Sequence, residues 1–273
     1  MLRAHEGSAF MPHVTAIYRY PIKGLSPQAL TQIALEAGGA LAFDRVFALA
    51  RAGGAVDPAA PKWAKKSEFL MLMLDDGLAE LKTNLDADTH RLTVERDGAP
   101  ALAADLDDAR AWPTIEAFFQ SQVPNLAAAP HLVRSRGAHF CDKPDNLISL
   151  INLATLRDLE AQWGYAIDPL RFRANLYIDG AAPWAEFDWV AKDIRIGDTI
   201  FTVDRRNTRC TATNVDPSSG ARDRDIPRAL WETFGHRDLG VYLTVPAGGE
   251  IKIGDALEPP EPANRSSRHA TEL

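Results

Sequence analysis

Cysteine is scarce in this chain, which has two in 273 residues, Cys141 and Cys210. They form no Cys-x-x-Cys pair and no disulfide framework, and they are too few for a cysteine-rich zinc or iron–sulfur site. Any cysteine chemistry must therefore depend on a single thiol.

Other absences narrow the function further. No segment approaches the ~20 apolar residues that span a bilayer, and the N-terminus lacks a signal-peptide pattern, so we expect a cytoplasmic protein without a membrane span. The net charge is -7, the pI is about 5.5, and the basic residues are scattered, which disfavours nucleic acid as a partner. A glycine-rich nucleotide loop and a His-x-x-x-His metal pattern are both missing.

Alternating apolar and polar residues predict short strands over roughly the first hundred residues, as in a compact all-β or barrel-like unit. The predicted strand segments, interrupted by turns at Pro and Gly, are 14–25, 29–50, 69–74, 79–83 and 91–95.

Helices are predicted at 110–121 and at 150–164, the second with Asn152 as N-cap and Gly164 as C-terminal stop. From residue 175 the pattern returns to strands that predict a closed or nearly closed barrel. The expected fold is therefore mostly β with a few helices, of the α+β class. Its expected parts are an N-terminal β-barrel region at 12–105, a second β-barrel domain at 106–258 and a disordered tail at 259–273.

The stretch RRNTRCTATNVDPSSG (205–220) places Cys210 directly after a predicted strand and close to Arg205, Arg206 and Arg209. Nearby guanidinium groups favour the thiolate, which is the better nucleophile and the better ligand for a soft metal centre. The alternative is that Cys210 is a small buried hydrophobic residue, the common fate of a free cysteine. The residues alone leave both interpretations open.

Several polar residues near strand ends are candidates for binding an anion. Lys23 and Arg45 follow strands in the N-terminal half, and RFRAN brings Arg171, Arg173 and Asn175 together. Arginine can grip a phosphate through two nitrogens, and lysine binds it as a point charge. Each of these residues also fits a solvated surface position when it is considered alone.

Cys141 lies beside His139 and Asp142 in the sequence, which allows a Cys–His nucleophile. Neighbours in sequence need not be partners in space, however, because such pairs are defined by geometry. A structural cysteine is the alternative for Cys141.

Taken together, the motifs resemble the MOSC family, in particular its two-part members, from about Val14 to Leu257. YPIKGL and FDRVFALA match the N-terminal region. The matches to the second part, in the family's order, are ISLINLATLRDL, RFRANLYIDG, AEFDW, IRIGD, TRCTATNVDPSSG, GVYLTV and IKIGD. Each motif is weak alone, but seven in order are specific. Gly24 and Ala174 stand where the family commonly has Ser and Pro.

The resemblance implies a molybdenum cofactor (molybdopterin). Cys210 would be the protein ligand to the metal, and the pterin dithiolene would supply the other sulfur ligands. It also implies a set of contacts to the cofactor's phosphate and pterin, made by Lys23, Arg45, Asn146, Arg173, Asn175, Thr208 and Arg209. Asp216, in the VDP turn, is either a proton relay, and then a catalytic residue, or a turn former. The family is also associated with pyridoxal phosphate binding.

By resemblance, the chain is an oxidoreductase that reduces small N-hydroxylated or other N-oxygenated compounds. Electrons would come from a separate ferredoxin- or cytochrome-like protein with its reductase, because the chain has no cysteine set for an iron–sulfur cluster. One alternative is a cofactor carrier or sulfur-handling protein without its own turnover, and another is a barrel whose site is empty. The physiological substrate, the electron donor and the oligomeric state stay open.

Overall fold

A computed structural model describes residues 11–124, 126–137 and 139–261, so most of the predicted tail lies outside the described residues. The described chain is mostly strand with four α-helices, which confirms the predicted class. The helices are α1 (Trp112–Gln122), α2 (Leu153–Trp163), α3 (Ala185–Asp188) and α4 (Ile226–Phe234). The strands are β1 (His13–Arg19), β2 (Gln28–Leu30), β3 (Gln32–Leu35), β4 (Phe47–Ala50), β5 (Leu81–Leu85), β6 (Arg91–Arg96), β7 (Ala99–Asp105), β8 (His131–Arg134), β9 (Ile148–Asn152), β10 (Leu176–Asp179), β11 (Asp193–Ile196), β12 (Thr199–Thr208), β13 (Asp238–Ala247), β14 (Gly249–Lys252) and β15 (Leu257–Glu258).

One eight-stranded sheet dominates, in the order β15-β11-β12-β13-β9-β10-β1-β2. β1 comes from the N-terminal half, yet it pairs antiparallel with β10 of the C-terminal half. The core repeats this mixing, because Val14 and Ile17 of β1 belong to the same buried cluster as Phe201 and Val241. The two halves of the chain are therefore joined by backbone hydrogen bonds and by shared apolar burial.

The sheets are not closed into barrels, so full closure, one of the two forms predicted for the second half, is not found among the described residues. Among the described residues, β2 and β15 stand at opposite ends of the large sheet. The next strand after β2 pairs elsewhere, since β3 forms a separate two-stranded ribbon with β14. The N-terminal strands are likewise divided between the small sheets β4-β8 and β5-β6-β7. Backbone hydrogen bonds nevertheless join the start of β1 to the segment around β15, from the Val14 N–H to the Asp255 carbonyl at 2.9 Å and from the Leu257 N–H to the Pro12 carbonyl at 2.6 Å. The large sheet therefore comes close to closure.

Both predicted helices are confirmed to within a few residues. α2 begins after Asn152, whose side chain accepts a hydrogen bond from the Ala154 backbone N–H at 3.1 Å. It ends at Gly164, whose φ of 75° is the left-handed cap that glycine adopts without strain. Residues 150–152, predicted as part of this helix, instead complete β9.

The strand predicted at 69–74 is wrong, and that at 79–83 is shifted to β5. Residues 71–75 form a turn because the Asp75 carboxylate accepts a hydrogen bond from the Met71 N–H at 2.9 Å. The Asp75 N–H in turn donates to the Met71 carbonyl at 2.8 Å. These local bonds replace a strand ladder, although Phe69, Leu70, Met71 and Leu72 are all buried.

Candidate functional site

Cys210 lies where β12 ends and a 3-10 turn over Thr211–Asn214 begins. Its carbonyl oxygen accepts hydrogen bonds from the Thr213 N–H at 3.1 Å and from the Thr213 hydroxyl at 2.9 Å. These bonds fix the backbone on the C-terminal side of the cysteine. The thiol therefore lies at the start of a hydrogen-bonded turn, and Cys210 is partly exposed.

A cavity beside Cys210 brings together four of the residues singled out in the sequence. The side chains of Lys23, Arg45 and Arg173 line it with the cysteine. The complete lining is Lys23, Gly24, Arg45, Lys66, Met71, Leu72, Met73, Asp142, Arg173, Cys210 and Ala212. A second cavity of about 280 Å³, mostly apolar, shares Gly24, Leu72 and Arg173 with the first. The two cavities therefore adjoin.

Asp142 pairs with two lysines, and all three side chains line the first cavity. Its carboxylate lies 2.6 Å from the Lys23 ammonium and 3.6 Å from the Lys66 ammonium. Burial alone would raise the pKa of Asp142, but the charges of Lys23, Lys66 and Arg45 outweigh it and lower this pKa to about 2. Asp142 is therefore a permanent anion among these cations near neutral pH.

Tyr20 supports two arginines of the cavity with its ring. The guanidinium carbons of Arg45 and Arg173 each lie 4.3 Å from the ring centroid, within cation–π range. Arg45 also pairs with Asp44 and donates to the Arg173 carbonyl at 3.0 Å. Desolvation lowers the pKa of Arg173 to about 10, and its Nη2 atom is buried without a hydrogen-bond partner.

Four other predicted cofactor contacts lie outside the lining of this cavity. Asn175 is buried and accepts hydrogen bonds from the N–H and hydroxyl of Ser149 at 3.1 and 2.9 Å. Thr208 donates to Asp238 at 2.6 Å, and Asn146 donates to the Gly38 carbonyl at 2.8 Å. In this conformation these three side chains bind other parts of the protein.

Arg209 is the fourth of these residues. Its guanidinium donates to the Leu239 carbonyl from Nε at 2.8 Å and to the Phe172 carbonyl from Nη1 at 3.0 Å. The side chain is buried and braces the strand end that carries Cys210. A direct contact of Arg209 with a cofactor stays a prediction.

Asp216 has the geometry of a turn former. One carboxylate oxygen accepts from the N–H groups of Ser218 and Ser219, both at 2.9 Å, as in an Asx turn. The other accepts from Arg171 at 2.8 Å. Desolvation opposes ionisation, but the bonds from both serines outweigh it and hold the pKa of Asp216 well below its usual range. Such a carboxylate is a poor proton donor, which favours the turn role over the relay.

Cys141 and His139 do not form a nucleophilic pair. The His139 Nδ1 atom accepts the Cys141 backbone N–H at 3.2 Å, while Nε2 contacts the Asn146 side-chain oxygen at 3.0 Å. The Cys141 sulfur instead faces Asp44 at 3.8 Å. Burial raises the pKa of the Cys141 thiol to about 12, so it stays protonated at neutral pH. The structural interpretation of Cys141 is favoured.

Sequence reasoning missed Lys66 and Arg222. Lys66 comes from a short 3-10 helix (Lys66–Glu68) and reaches the cavity from 144 residues before Cys210, with no motif around it. Arg222 donates to the carbonyls of Leu72 at 3.0 Å and Met73 at 2.8 Å, and it pairs with Asp76 at 2.7 Å. It thereby ties the cavity rim to the segment that follows Cys210. The only available signal for Arg222 was its proximity to the cysteine motif.

The glycine at position 24, where the family commonly has serine, is explained by the local backbone conformation. Gly24 has a φ of 84°, and a Cβ atom there would lie 3.0 Å from the Leu70 carbonyl oxygen. A serine at this position would be strained, since side chains rarely adopt that backbone conformation. Gly24 lines both cavities.

The lining of the cavity suits an anionic group that binds next to a thiol. Its lining has four cationic side chains and one carboxylate, Asp142. The buried Nη2 of Arg173 lacks a partner that an anionic group would supply. Cys210 adds a sulfur, the ligand atom that soft metal centres prefer. In the described part of the chain, no three His, Cys, Asp or Glu side chains gather at a spacing that could hold a metal ion.

Comparison with known proteins agrees with this chemistry. Residues 11–130 match the family model for the MOSC N-terminal beta barrel domain, and residues 137–258 match that for the MOSC domain. The chain belongs to the MOSC family. The predicted boundary between residues 105 and 106 stays a prediction.

The relatives include an amidoxime-reducing component and two proteins named for the molybdenum cofactor. Human mitochondrial amidoxime-reducing component 1 is 26% identical over 206 residues, which are 67% of this chain and 59% of that protein. Molybdenum cofactor sulfurase of Anopheles gambiae is 35% identical over 120 residues, 40% of this chain and 15% of the relative. Molybdenum cofactor sulfurase 2 of Aedes aegypti is 25% identical over 278 residues, which cover 93% of this chain and 34% of that protein. The chain spans less than two thirds of these relatives, and together they indicate a function associated with the molybdenum cofactor.

No helix among residues 11–124, 126–137 and 139–261 has both the length and the apolar character needed to cross a membrane.

Proposed function

We propose that this protein is an oxidoreductase that binds a molybdenum cofactor through Cys210 and reduces N-hydroxylated or other N-oxygenated compounds. The observation that carries the proposal is the shared cavity, in which a thiol and four cationic side chains meet. When bound, the cofactor supplies a redox-active metal, and the protein supplies orientation and electrostatics. Removal of the oxygen as water consumes two electrons and two protons, the electrons coming from a separate donor protein.

Each residue of the cavity has a role in this proposal. Cys210 holds the metal as a thiolate. Lys23, Arg45 and Arg173 bind the anionic end of the cofactor, with the free Nη2 of Arg173 as the unsatisfied donor. Tyr20 and Asp44 keep the two arginines in place. The contacts to Asn146, Asn175, Thr208 and Arg209 would require those side chains to exchange their present partners.

Turnover tests the proposal directly. Protein from a host that makes the cofactor would be mixed with a chemical or protein electron donor and a panel of N-hydroxylated bases, hydroxamic acids and N-oxides. We expect reduction by the wild type and none by Cys210→Ala. A matched Cys141→Ala variant controls for the loss of a thiol as such.

The second candidate is a cofactor carrier or sulfur-handling protein. Its specific support is the higher identity, 35% over 120 residues, to a molybdenum cofactor sulfurase. Protein that carries the full cofactor but reduces no compound with a competent donor would favour this candidate over the reductase. Transfer of the cofactor to an empty acceptor enzyme would then be its positive test.

A further inference from the structure

The second cavity, of about 280 Å³, adjoins the one that contains Cys210. Gly24, Leu72 and Arg173 line both, so a molecule held at Cys210 can extend from one cavity into the other. An apolar cavity of ~150 Å³ accommodates benzene, so the second cavity has room for a fused two-ring group. Its other apolar lining residues are Leu25, Pro27, Leu78, Ala79, Leu170, Val215 and Pro217.

Most polar side chains that line the second cavity already bond to the protein itself. The Ser26 hydroxyl donates to a backbone carbonyl at 2.9 Å, and the Thr83 hydroxyl oxygen accepts the Ser26 N–H at 3.2 Å. Arg171 pairs with Asp216 at 2.8 Å. The exception is the Nη2 atom of Arg173, which the proposed function assigns to the anionic end of the cofactor. A polar group that entered this cavity would therefore lose its bonds to water and find few free partners.

Two long side chains hold the walls of the second cavity in place. Lys82 donates to the carbonyls of Ala79 at 3.0 Å and Pro217 at 2.8 Å, which joins a wall from the N-terminal half to one from the C-terminal half. Arg222 donates to the carbonyl of Leu72 at 3.0 Å. Walls fixed in this way need little ordering when a ligand binds, so more of the free energy of apolar burial contributes to affinity.

We propose that the second cavity binds the hydrocarbon part of the substrate, so that the protein favours N-oxygenated compounds with an aromatic or branched alkyl group over small polar ones. This substrate class rests on the proposed function, which places the reacting N–O group in the Cys210 cavity. The apolar binding site does not depend on that reaction. Binding and turnover therefore test the two parts separately.

Binding of 2-naphthamide, which has two fused rings and no N–O bond, tests the site in the full chain with and without cofactor. Leu170 lines the second cavity but not the first, and it is partly exposed, so a larger side chain can be accommodated. We expect Leu170→Trp to fill the cavity and to weaken binding about tenfold or more, because the ligand loses apolar burial. Isothermal titration calorimetry measures the dissociation constant, with acetamide as the compound that lacks the rings.

Three further variants control for structural effects. Leu170→Met keeps the side-chain volume and should bind 2-naphthamide within about twofold of wild type. Leu74→Trp adds the same ring at a position that is 58% exposed and outside the lining, and it should also stay within about twofold. Ala79→Leu narrows the cavity from the N-terminal half and should weaken binding, which gives a second test that does not depend on how Leu170→Trp folds.

The loaded protein separates substrate binding from cofactor binding. We expect 2-naphthamide to bind it as tightly as the cofactor-free protein. We also expect Leu170→Trp to lower the ratio of kcat/KM for 2-naphthamidoxime to that for acetamidoxime about tenfold.

Loss of 2-naphthamide binding on loading would assign the second cavity to the cofactor and overturn the inference. An unchanged dissociation constant in Leu170→Trp, or an unchanged kcat/KM ratio, would overturn it as well. Binding that survives loading and weakens in Leu170→Trp, in protein that reduces neither amidoxime, supports the apolar site and overturns the proposed reaction instead.

Discussion

At the scale of single residues, Arg173 is a buried cation with an unsatisfied hydrogen-bond donor, which a bound anion would satisfy. Its Nη2 is buried without a partner, and its backbone is in the left-handed region with a φ of 50°. We expect Arg173→Met to melt at or above the wild-type temperature in cofactor-free protein, because it removes a desolvated charge. The same variant should lose about tenfold or more in bound molybdenum. Lower thermal stability together with full metal content would contradict this role.

Arg209 is the matched comparison, since it is also a buried arginine but its guanidinium has hydrogen-bond partners. Arg209→Met would leave buried carbonyl groups of Phe172 and Leu239 without their donors. Unsatisfied buried groups cost about 1–3 kcal/mol each, so we expect the free energy of unfolding to fall by about 3 kcal/mol. Urea denaturation of both variants measures the contrast.

Asp142 should make the free energy of unfolding depend on pH in the acid range. Its folded-state pKa of about 2 is below the unfolded value of about 4. Its contribution to stability is thus present above pH ~4 and is lost as the pH falls through about 2. Because the side chain is 45% exposed, the contribution is about 1 kcal/mol or less. Urea titrations should show a stability gap between wild type and Asp142→Asn at pH 7 that narrows below pH 4; a gap that widens in acid would refute this assignment.

At the scale of elements, Arg222 connects two segments that form one wall of the cavity. It bonds the Leu72 and Met73 carbonyls, pairs with Asp76, and approaches the Thr211 carbonyl at 3.4 Å. We expect Arg222→Ala to cost about 1–3 kcal/mol, as for hydrogen bonds from a charged group. Amide hydrogen exchange should speed up in residues 71–76 and 211–215.

Arg228→Ala is the matched control for Arg222→Ala. Arg228 pairs with Glu232 on the exposed face of α4, where such pairs contribute about 0.3–0.5 kcal/mol. It should leave exchange at 71–76 unchanged. Equal effects of the two variants would mean that Arg222 does not connect the two segments.

The elements also show what a sequence can and cannot predict. α2 was predictable because its N-cap Asn152 and its stop at Gly164 are local signals. α4 was missed, although Asp225 and Pro227 stand at its start as helix-initiating residues. The segment 69–74 has the composition of a strand, yet the Asp75 carboxylate organises it as a turn, and composition alone carries no sign of that.

Some residues of the candidate site could likewise be predicted from the sequence, and others could not. Cys210, Lys23, Arg45 and Arg173 lie in motifs that resemble a family, so their meeting in one cavity could be expected. Lys66 lies outside every motif and reaches the cavity only because the chain returns there. Long-range approach of this kind depends on packing between distant segments, which local periodicity does not encode.

At the scale of the whole molecule, the two halves share one sheet and one core. β1 lies between β10 and β2, and β3 pairs with β14. Residues 137–261 alone would expose the edge of β10 and the apolar surface that Val14, Ile17, Leu35 and Leu41 cover. We expect this fragment to aggregate or to melt without cooperativity.

Co-expression with residues 1–136 should restore a soluble complex that melts cooperatively. The cavity supports the same expectation, because Lys23, Arg45 and Lys66 come from the first fragment and Arg173 and Cys210 from the second. A fragment 137–261 that alone melts at the temperature of the full chain would contradict the shared core.

The central claim is that Cys210 holds a molybdenum cofactor in this cavity. Elemental analysis for molybdenum tests it on wild type, Cys210→Ala and Cys141→Ala, all purified from a host that makes the cofactor. The account predicts near-stoichiometric metal in wild type and Cys141→Ala, and metal that is lost or spectroscopically altered in Cys210→Ala. Absence of molybdenum from all three proteins would contradict the account, as would identical metal content and spectra in the presence and absence of the Cys210 thiol.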